Sequence, residues 1–427
     1  MSCYKIKGGT KLEGEVNISG SKNSSLPIIA ACILNGGVTQ LYNVPNIKDT
    51  IGMFEILNDL GCNIKKKGKR VIIDSTNIKK FEIDENLMSK MRSSVIIAGA
   101  LIARFRKAVF SYPGGCEIGS RPIDLHIMGF KKLGINIDES TGNIVCKCDK
   151  IVPAQIHLDF PSVGATENLI LASVFSDGET IISNAAAEPE IVDLQNFLNK
   201  MGAKVYGAGS NIIKITGVKR LKEISYNIMP DRIEAGTFLA YGAMTGGNIR
   251  LTHVNPEHIV PIISKLEEMG CKIFSDKESI ILNAPKRLKS TSIQTLPYPG
   301  FPTDMQSIFL SALSVARGTS VITENIFENR FRCVQDLAKM GAKITITGQN
   351  AVIHGVRKLV GQKVTCQDLR GGAALVGAAI KAKGITTIEN VGLIERGYEN
   401  LPFKLKNLNV DFVKWRRGLR IETEEKK

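Results

Sequence analysis

The sequence predicts an α/β protein of two domains, each an inside-out α/β barrel of three βαβαββ repeats around internal helices. Three observations predict it. First, a helix-like stretch ends in Leu60-Gly61-Cys62-Asn63-Ile64, and the same ending returns at Gly134, Gly202, Gly270 and Gly341, with a worn sixth copy at Leu408-Asn409-Val410-Asp411-Phe412. The steps from Gly61 to Asn409 are 73, 68, 68, 71 and 68 residues, the regularity of an internal repeat. Second, a short apolar run follows each ending: Val71-Ile72-Ile73, Ile144-Val145, Ile212-Ile213, Ile280-Ile281, Val352-Ile353 and Leu419-Arg420-Ile421. Third, each unit holds a stretch that is apolar almost all round and rich in small residues, at 26–34, 91–103, 165–175, 235–244, 305–316 and 373–380.

Each element of the unit has a physical reason. The glycine, or Asn409 in the last copy, supplies the left-handed position that closes a helix. Two β-rich runs joined by polar turn residues then make a hairpin. Helices apolar on every side belong inside a core, whereas amphipathic ones such as 191–201, with Lys200 on its wet side, belong outside. Four outer helices follow strands opened by Gly178, Gly247, Gly318 and Gly384. The opening strand, within residues 5–19, precedes the first apolar helix and is therefore placed to pair with the last unit rather than the first. Asn227-Ile228-Met229-Pro230-Asp231 falls at the middle of the repeat count, which divides the chain into domain I (21–229) and domain II (1–20 with 230–427).

A chain of 427 residues exceeds what one hydrophobic core usually supports. Its 43% hydrophobic and 23% charged residues suit a globular protein and argue against disorder. No apolar leader opens the chain, and the longest apolar runs, such as 95–103, are too short to span a bilayer. A cytoplasmic location is expected. Nine cysteines without paired spacing point to reduced thiols. Cys146-Lys147-Cys148 lacks the second pair or nearby histidine of a zinc site, so neither metal nor cofactor is expected. The formal charge of +15 implies anionic partners, either nucleic acid or small phosphorylated molecules. Basic runs such as Lys65-Lys66-Lys67 and Lys414-Trp415-Arg416-Arg417 are scattered, and aromatics reach only 6%, too few for a stacking platform. The expectation is small acidic substrates, with no nucleic acid, membrane or obligatory protein partner.

Charged residues gather at equivalent places in the repeat. Before the apolar helices stand Lys22-Asn23, Arg92, Ser162-Val163-Gly164, Asp231-Arg232, Thr303-Asp304 and Asp368-Leu369-Arg370. Before the outer helices stand Lys48-Asp49, the loop Cys116 to Asp124, Glu188, Glu257-His258, Glu328-Asn329-Arg330 and Glu395-Arg396. Helix N-termini offer unpaired N–H groups and a positive dipole end, so they favour phosphate and carboxylate ligands. An interdomain cleft lined by Lys22, Arg92, Arg121, Arg330, Arg370 and Arg396 is the expected active site, since arginine grips such anions bidentately. For any one aspartate, capping its own helix is the competing role. Among these loops, Pro113-Gly114-Gly115-Cys116-Glu117-Ile118-Gly119-Ser120-Arg121-Pro122-Ile123-Asp124 is the most chemically pointed, combining a thiol, a guanidinium and a carboxylate on a turn-rich segment with glycine hinges.

With that loop, Lys22-Asn23, Phe301-Pro302-Thr303-Asp304, Phe327-Glu328-Asn329-Arg330, Asp368-Leu369-Arg370 and Glu395-Arg396-Gly397-Tyr398 assembled, the chain resembles the UDP-N-acetylglucosamine 1-carboxyvinyltransferase family of enolpyruvyl transferases over essentially its whole length. The resemblance implies transfer of the enolpyruvyl group of phosphoenolpyruvate to the sugar 3′-hydroxyl by addition and elimination of phosphate, the first committed step of peptidoglycan synthesis and the step that fosfomycin blocks. It implies that Lys22, Arg121 and Arg396 hold the phosphate, with Arg370 and Arg396 toward the carboxylate. Asn23 and Asp304 would face the sugar hydroxyl, Asp304 as base. Arg121, Pro122, Ile123, Asp124 and Leu125 with Ser162, Val163 and Gly164 would contact uridine and diphosphate, and Ile326 would line the sugar. Arg92, Glu328 and Arg330 complete the expected substrate-binding set, and Asp368 would relay the methyl proton. Cys116 is either an acid, a covalent partner for carbon 2 favoured by the nearby Arg121, or a group acting in product release. The alternatives are 5-enolpyruvylshikimate 3-phosphate synthase, which shares the reaction type but lacks the Pro-Gly-Gly-Cys loop, and a non-catalytic clamp on nucleic acid. Two departures stand out. Gly371-Gly372 replaces better helix formers after Arg370, weakening the expected hold on it, and Phe160-Pro161 removes a basic contact ahead of Ser162.

Overall fold

The computed structural model describes residues 2–114, 119, 123–140, 142–416 and 419–421. The described residues form two compact units, one within 20–114 and 123–229, the other within 2–19, 119 and 230–421. Each unit has its own buried apolar cluster. Among the described residues there are six sheets, three per unit.

In the 20–229 unit the central helices are α1 (Lys22–Ala31), α2 (Ile96–Phe105) and α3 (Val163–Ser173). Every residue from Ile96 to Ala103 of α2 is buried, as its small and branched side chains require. The sheet Ile224–Asn227, Val38–Tyr42, Arg70–Asp74, Asn63–Lys67 shows the recurring pattern. The hairpin Asn63–Lys67/Arg70–Asp74 pairs antiparallel with Val38–Tyr42, whose other edge takes a parallel strand, with Ile224 opposite Thr39. That parallel strand comes from the end of the unit, so its first and last segments close on each other.

The 230–427 unit is built around α4 (Arg232–Thr245), α5 (Gln306–Leu313) and α6 (Leu369–Lys381). Here the opening stretch of the chain divides. Ser2–Lys7 runs antiparallel between Ile385–Glu389 and Asp411–Arg416, joining the last sheet as expected. Glu13–Asn17 lies parallel to Asn248–Thr252, in the sheet that also holds the hairpin Lys272–Ser275/Ser279–Asn283.

Helix ends follow the capping chemistry. Outer helices stop at left-handed Gly61 and Gly202, with φ of 108° and 101°, and Asn409 takes the same region at 65°. At the inner helices, Ser21 and Ser162 accept from the N–H groups of Ser24 and Ala165. Two boundaries differ from the sequence reading. The first inner helix starts at Lys22 rather than 26, because Ser21 caps it and its polar first turn is helical. Residues 92–95 of the second are a 3-10 turn, and only from Ile96 does the α-helix run.

The start of α2 has no side-chain cap of its own, and α3 supplies one. Asn168 accepts from Gly99 N–H at 2.7 Å and donates to Val95 C=O at 2.9 Å. A Cβ on residue 99 would fall 2.3 Å from the Asn168 carbonyl oxygen, so only glycine permits this approach of the two helices. The same Asn168 amide donates to His126 Nδ1 at 2.9 Å, which fixes the neutral tautomer with its proton on Nε2. Burial, with Arg92 adding to it, pushes the His126 imidazolium down to about 3. Among the described residues no helix is long and apolar enough to cross a membrane.

The depressed histidine has a measurable consequence. Between its folded value of about 3 and an unfolded value of about 6.5, the unfolded chain binds more protons. Stability therefore falls as pH is lowered through that window. His126→Gln, which keeps an acceptor for Asn168, removes this contribution. From pH 8 to pH 5 the wild-type protein is expected to lose about 2 kcal/mol more than the variant, read from denaturant midpoints at the two pH values; equal losses would show that His126 is not buried neutral.

Candidate active site

In the 230–427 unit the N-terminal ends of the inner helices carry the charged residues. Asp231 caps α4, its Oδ1 accepting from Ile233 and Glu234 N–H at 2.9 and 2.8 Å. Asp304 lies in the 3-10 turn Thr303–Met305 that leads into α5. Asp368 caps α6, accepting from Arg370 and Gly371 N–H at 3.0 and 2.8 Å. Sequence alone left capping and chemistry as competing roles for these acids; Asp231 and Asp368 do cap.

Asp304 does something else. Its Oδ1 accepts from Arg330 Nη2 at 2.6 Å and its Oδ2 from Arg370 Nη2 at 2.8 Å. The two arginine side chains are only 4% exposed, whereas the carboxylate between them is 28% exposed. A half-open carboxylate is thus held in a fixed plane by two buried cations. Burial penalises the Arg370 cation, but Asp304, with Tyr398 and Asp231, outweighs that and holds it above its ordinary value. The Arg370 guanidinium also lies 5.3 Å from the Tyr398 ring, whose hydroxyl bonds Thr237, and Arg330 lies 5.5 Å from the Phe327 ring. Arg396, at the end of the 3-10 turn Val391–Arg396, and Ile326 are half-buried, and Glu328 is exposed.

The 20–229 unit carries the other expected residues. Lys22 Nζ lies 2.9 Å from Asp49 Oδ2, with side chains 13% and 4% exposed. Asn23 follows it in the first turn of α1. Arg92 begins the turn before α2, and Ser162, Val163 and Gly164 form the capped start of α3. Ile123 is buried, Asp124 exposed and Leu125 half-buried at the start of the helix Asp124–Lys132. His126, one turn in, sits beside α3, for a Cβ at 164 would stand 3.6 Å from its Nε2. Cys116, Arg121 and Pro122 lie outside the described residues.

Asp304, Arg330 and Arg370 come from three separate parts of the sequence and meet directly, with Asp368 on the same helix start. Sequence reasoning missed Asp49 as the partner of Lys22; it had noted the residue only as a helix-start charge, and no linear spacing links position 22 to 49. It also left Arg232 unassigned, a buried cation 5.7 Å from the Tyr298 ring. The concern about Gly371-Gly372 is corrected. A Cβ at 372 would lie 2.4 Å from Cys366 Sγ and 2.6 Å from Ile394 Cγ1, and one at 371 would lie 2.6 Å from Asp368 Oδ2. The glycines let the capping carboxylate and the thiol close on the first turn, so they support the placement of Arg370.

The EPSP synthase (3-phosphoshikimate 1-carboxyvinyltransferase) family matches residues 6–405. A curated UDP-N-acetylglucosamine 1-carboxyvinyltransferase 2 from Caldanaerobacter subterraneus subsp. tengcongensis is 52% identical over 415 residues, 97% of this chain and 100% of its own. The UDP-N-acetylglucosamine 1-carboxyvinyltransferase of Clostridium botulinum is 44% identical over 416 residues, with coverages of 97% and 100%. Among solved structures, the enolpyruvyl transferase NikO from Streptomyces tendae matches with a TM-score of 0.87 at 21% identity, covering 99% of each chain. An EPSP synthase from Acinetobacter baumannii matches with a TM-score of 0.75 at 18% identity, covering 97% of this chain and 100% of that one. At such identities the two structures speak for the mixed α/β fold alone.

Gly372→Ala sets two effects against each other. Alanine favours a helix by up to ~1 kcal/mol over glycine, but forcing a methyl group into a packed site costs about 1–3 kcal/mol. The contacts with Cys366 and Ile394 make overpacking the winner, so the variant is expected to be less stable by urea unfolding. Adding Cys366→Ala should recover stability relative to Gly372→Ala alone; no recovery would remove the thiol from the explanation.

Proposed function

The chain belongs to the enolpyruvyl transferase family, among its UDP-N-acetylglucosamine 1-carboxyvinyltransferases, and from that premise we infer its reaction. It transfers the enolpyruvyl group of phosphoenolpyruvate to the 3′-hydroxyl of UDP-N-acetylglucosamine with release of phosphate, a step of peptidoglycan synthesis. The observation that carries this is high identity, over nearly the full chain, to enzymes named for that reaction. 5-Enolpyruvylshikimate 3-phosphate synthase, the alternative left by the sequence, gives its name to the family matched over residues 6–405, but its solved structure is only 18% identical, against 52% and 44% for the UDP-N-acetylglucosamine enzymes.

The assignment of roles is our proposal. We read the six sheets and their buried helices as the two inside-out barrels of three repeats, and place the reaction in the cytoplasm. Addition needs a proton removed from the sugar hydroxyl and one delivered to the methylene carbon; elimination needs a methyl proton removed as phosphate leaves. Asp304 takes the hydroxyl proton. Its two arginine hydrogen bonds support this by fixing the carboxylate plane without enclosing it. Asn23 orients the same hydroxyl. Lys22, Arg121 and Arg396 hold the phosphate, and Arg370 and Arg396 the carboxylate, so that charge developing on the departing phosphate meets fixed cations. Arg121 to Leu125 and Ser162 to Gly164 take the uridine diphosphate, with Arg92, Glu328 and Arg330 supporting. The capped start of α3 supports this, since its first-turn N–H groups and dipole suit a diphosphate. Asp368 accepts the methyl proton, and Cys116 serves as acid, covalent partner or release group.

Phosphate is expected to appear only when both substrates are present; none from folded protein would overturn the reaction. Lys22→Met should lower turnover by a factor of about 10²–10³, the usual scale for losing one preorganised charge contact, and an unchanged rate would make Lys22 only the partner of Asp49. Fosfomycin should add a single covalent mass to a peptide containing Cys116, and Cys116→Ser should remain unmodified. An adduct on Cys62 or Cys271 would count against the loop.

A further inference from the structure

Just past the strand Thr319–Thr323 stands Glu324, a carboxylate with 1% exposure that no role described so far uses. Its two oxygens receive four hydrogen bonds. Oε1 accepts from the Thr295 hydroxyl at 2.9 Å, from Ile326 N–H at 2.9 Å and from Phe327 N–H at 3.2 Å. Oε2 accepts from the Thr303 hydroxyl at 2.9 Å. A carboxylate accepts and does not donate, so one buried side chain satisfies donors from three separate stretches of chain.

Those stretches are the ones that bear the proposed chemistry. Ile326 is the residue assigned to the sugar, and Thr303 immediately precedes Asp304 in its short turn. The connection closes on itself. Glu324 fixes the Phe327 amide, the Phe327 ring lies against Arg330, Arg330 donates to Asp304, and Thr303 next to Asp304 returns to Glu324. Thr295 is tied in from the other side, for its hydroxyl also accepts from Asn325 N–H at 2.9 Å and its carbonyl from Asn325 Nδ2 at 3.0 Å. With both turns held by one carboxylate, a shift in either is transmitted to the other.

We propose that Glu324 is a positioning residue that sets the Asp304 turn and the Ile326–Phe327 turn in one fixed relation, so that base and sugar-lining backbone are placed together. This rests on the reaction assigned above. Glu324 touches no reacting atom; it acts through Thr303 and the two amides. A displacement of about 1 Å at the base is enough to cost on the order of 10²-fold in rate. Thr303→Val removes the Oε2 bond while preserving shape. Its kcat is expected to fall about tenfold or more, with the KM for UDP-N-acetylglucosamine little changed. Glu324→Ala releases both turns and should lower kcat and raise that KM together. The conservative replacements separate positioning from bulk stability. In Thr303→Ser the hydroxyl is retained, and in Glu324→Gln the amide oxygen still accepts at Oε1 while its nitrogen can donate to Thr303. Both should recover most of the lost kcat.

The test combines steady-state phosphate release by the four full-length variants with amide hydrogen exchange at Ile326 and Phe327. Faster exchange there in Glu324→Ala, together with the kcat losses and their rescue, supports the proposal. Unchanged exchange in Glu324→Ala overturns it whether or not the protein is active. Thr303→Val with wild-type kcat and KM would likewise overturn it should Glu324→Ala fail to fold. Wild-type protein that releases no phosphate, yet shows the exchange change, would instead overturn the assigned reaction and leave the structural tie standing.

Discussion

The constraint on which this architecture depends is that its inner helices are buried on nearly every side. A surface helix can leave the N–H groups of its first turn to water; a buried one must find other partners. Here five of the six inner helices have a side-chain solution, and α5 is entered through the 3-10 turn Thr303–Met305 without a side-chain cap. Ser21, Ser162, Asp231 and Asp368 cap from within the chain's own turn, whereas α2 borrows Asn168 from a neighbouring helix. In the 230–427 unit these solutions converge, because Arg370 in the first turn of α6 reaches Asp304 at the entry to α5 and feels the Asp231 cap of α4. Packing the helices as a core has gathered their positive ends, which is the arrangement on which the proposed anion-handling site rests.

The cluster at Asp304 is better understood as a device for function than for stability. Buried ion pairs commonly fail to recover their desolvation cost, so two deeply buried arginines on one carboxylate are weak evidence for stabilisation. The Asp304–Arg330–Arg370 trio taken by itself carries one positive charge in excess, in keeping with the anionic substrates proposed above. It also separates the environment of the proposed base from that of its clamps, since the arginines are buried and the carboxylate is not.

Much of the fold was legible because the same local signals recur along the sequence. A left-handed residue after each amphipathic helix is a local demand that shows directly in sequence, and small apolar residues on every face mark an inner helix without reference to anything else. Closure of each unit was only partly legible. The parallel pairing of Ile224–Asn227 with Val38–Tyr42 joins residues that no local pattern connects. The site was legible as residue types at helix starts, but not as contacts. Lys22 with Asp49, Asp304 with its two arginines and Glu324 with Thr303 all span distances in sequence that periodicity does not report. Gly371-Gly372 went furthest astray, since helix propensity judges a residue against solvent and here the neighbour is a thiol.

Asp368 shows why capping and chemistry need not compete. Both of its cap bonds, from Arg370 and Gly371 N–H, arrive at Oδ1. Oδ2 stands outside the cap, on the side where a Cβ at 371 would intrude at 2.6 Å. The carboxyl group thus divides its two oxygens, one holding the start of α6 and with it Arg370, the other lying outside the cap, where the proton transfer we propose for it would take place. Glycine at 371 is the residue that keeps that second oxygen clear of side-chain bulk. An inner helix that must be capped and a reaction that needs a carboxylate can therefore be served by the same side chain, provided the backbone N–H groups occupy one oxygen only.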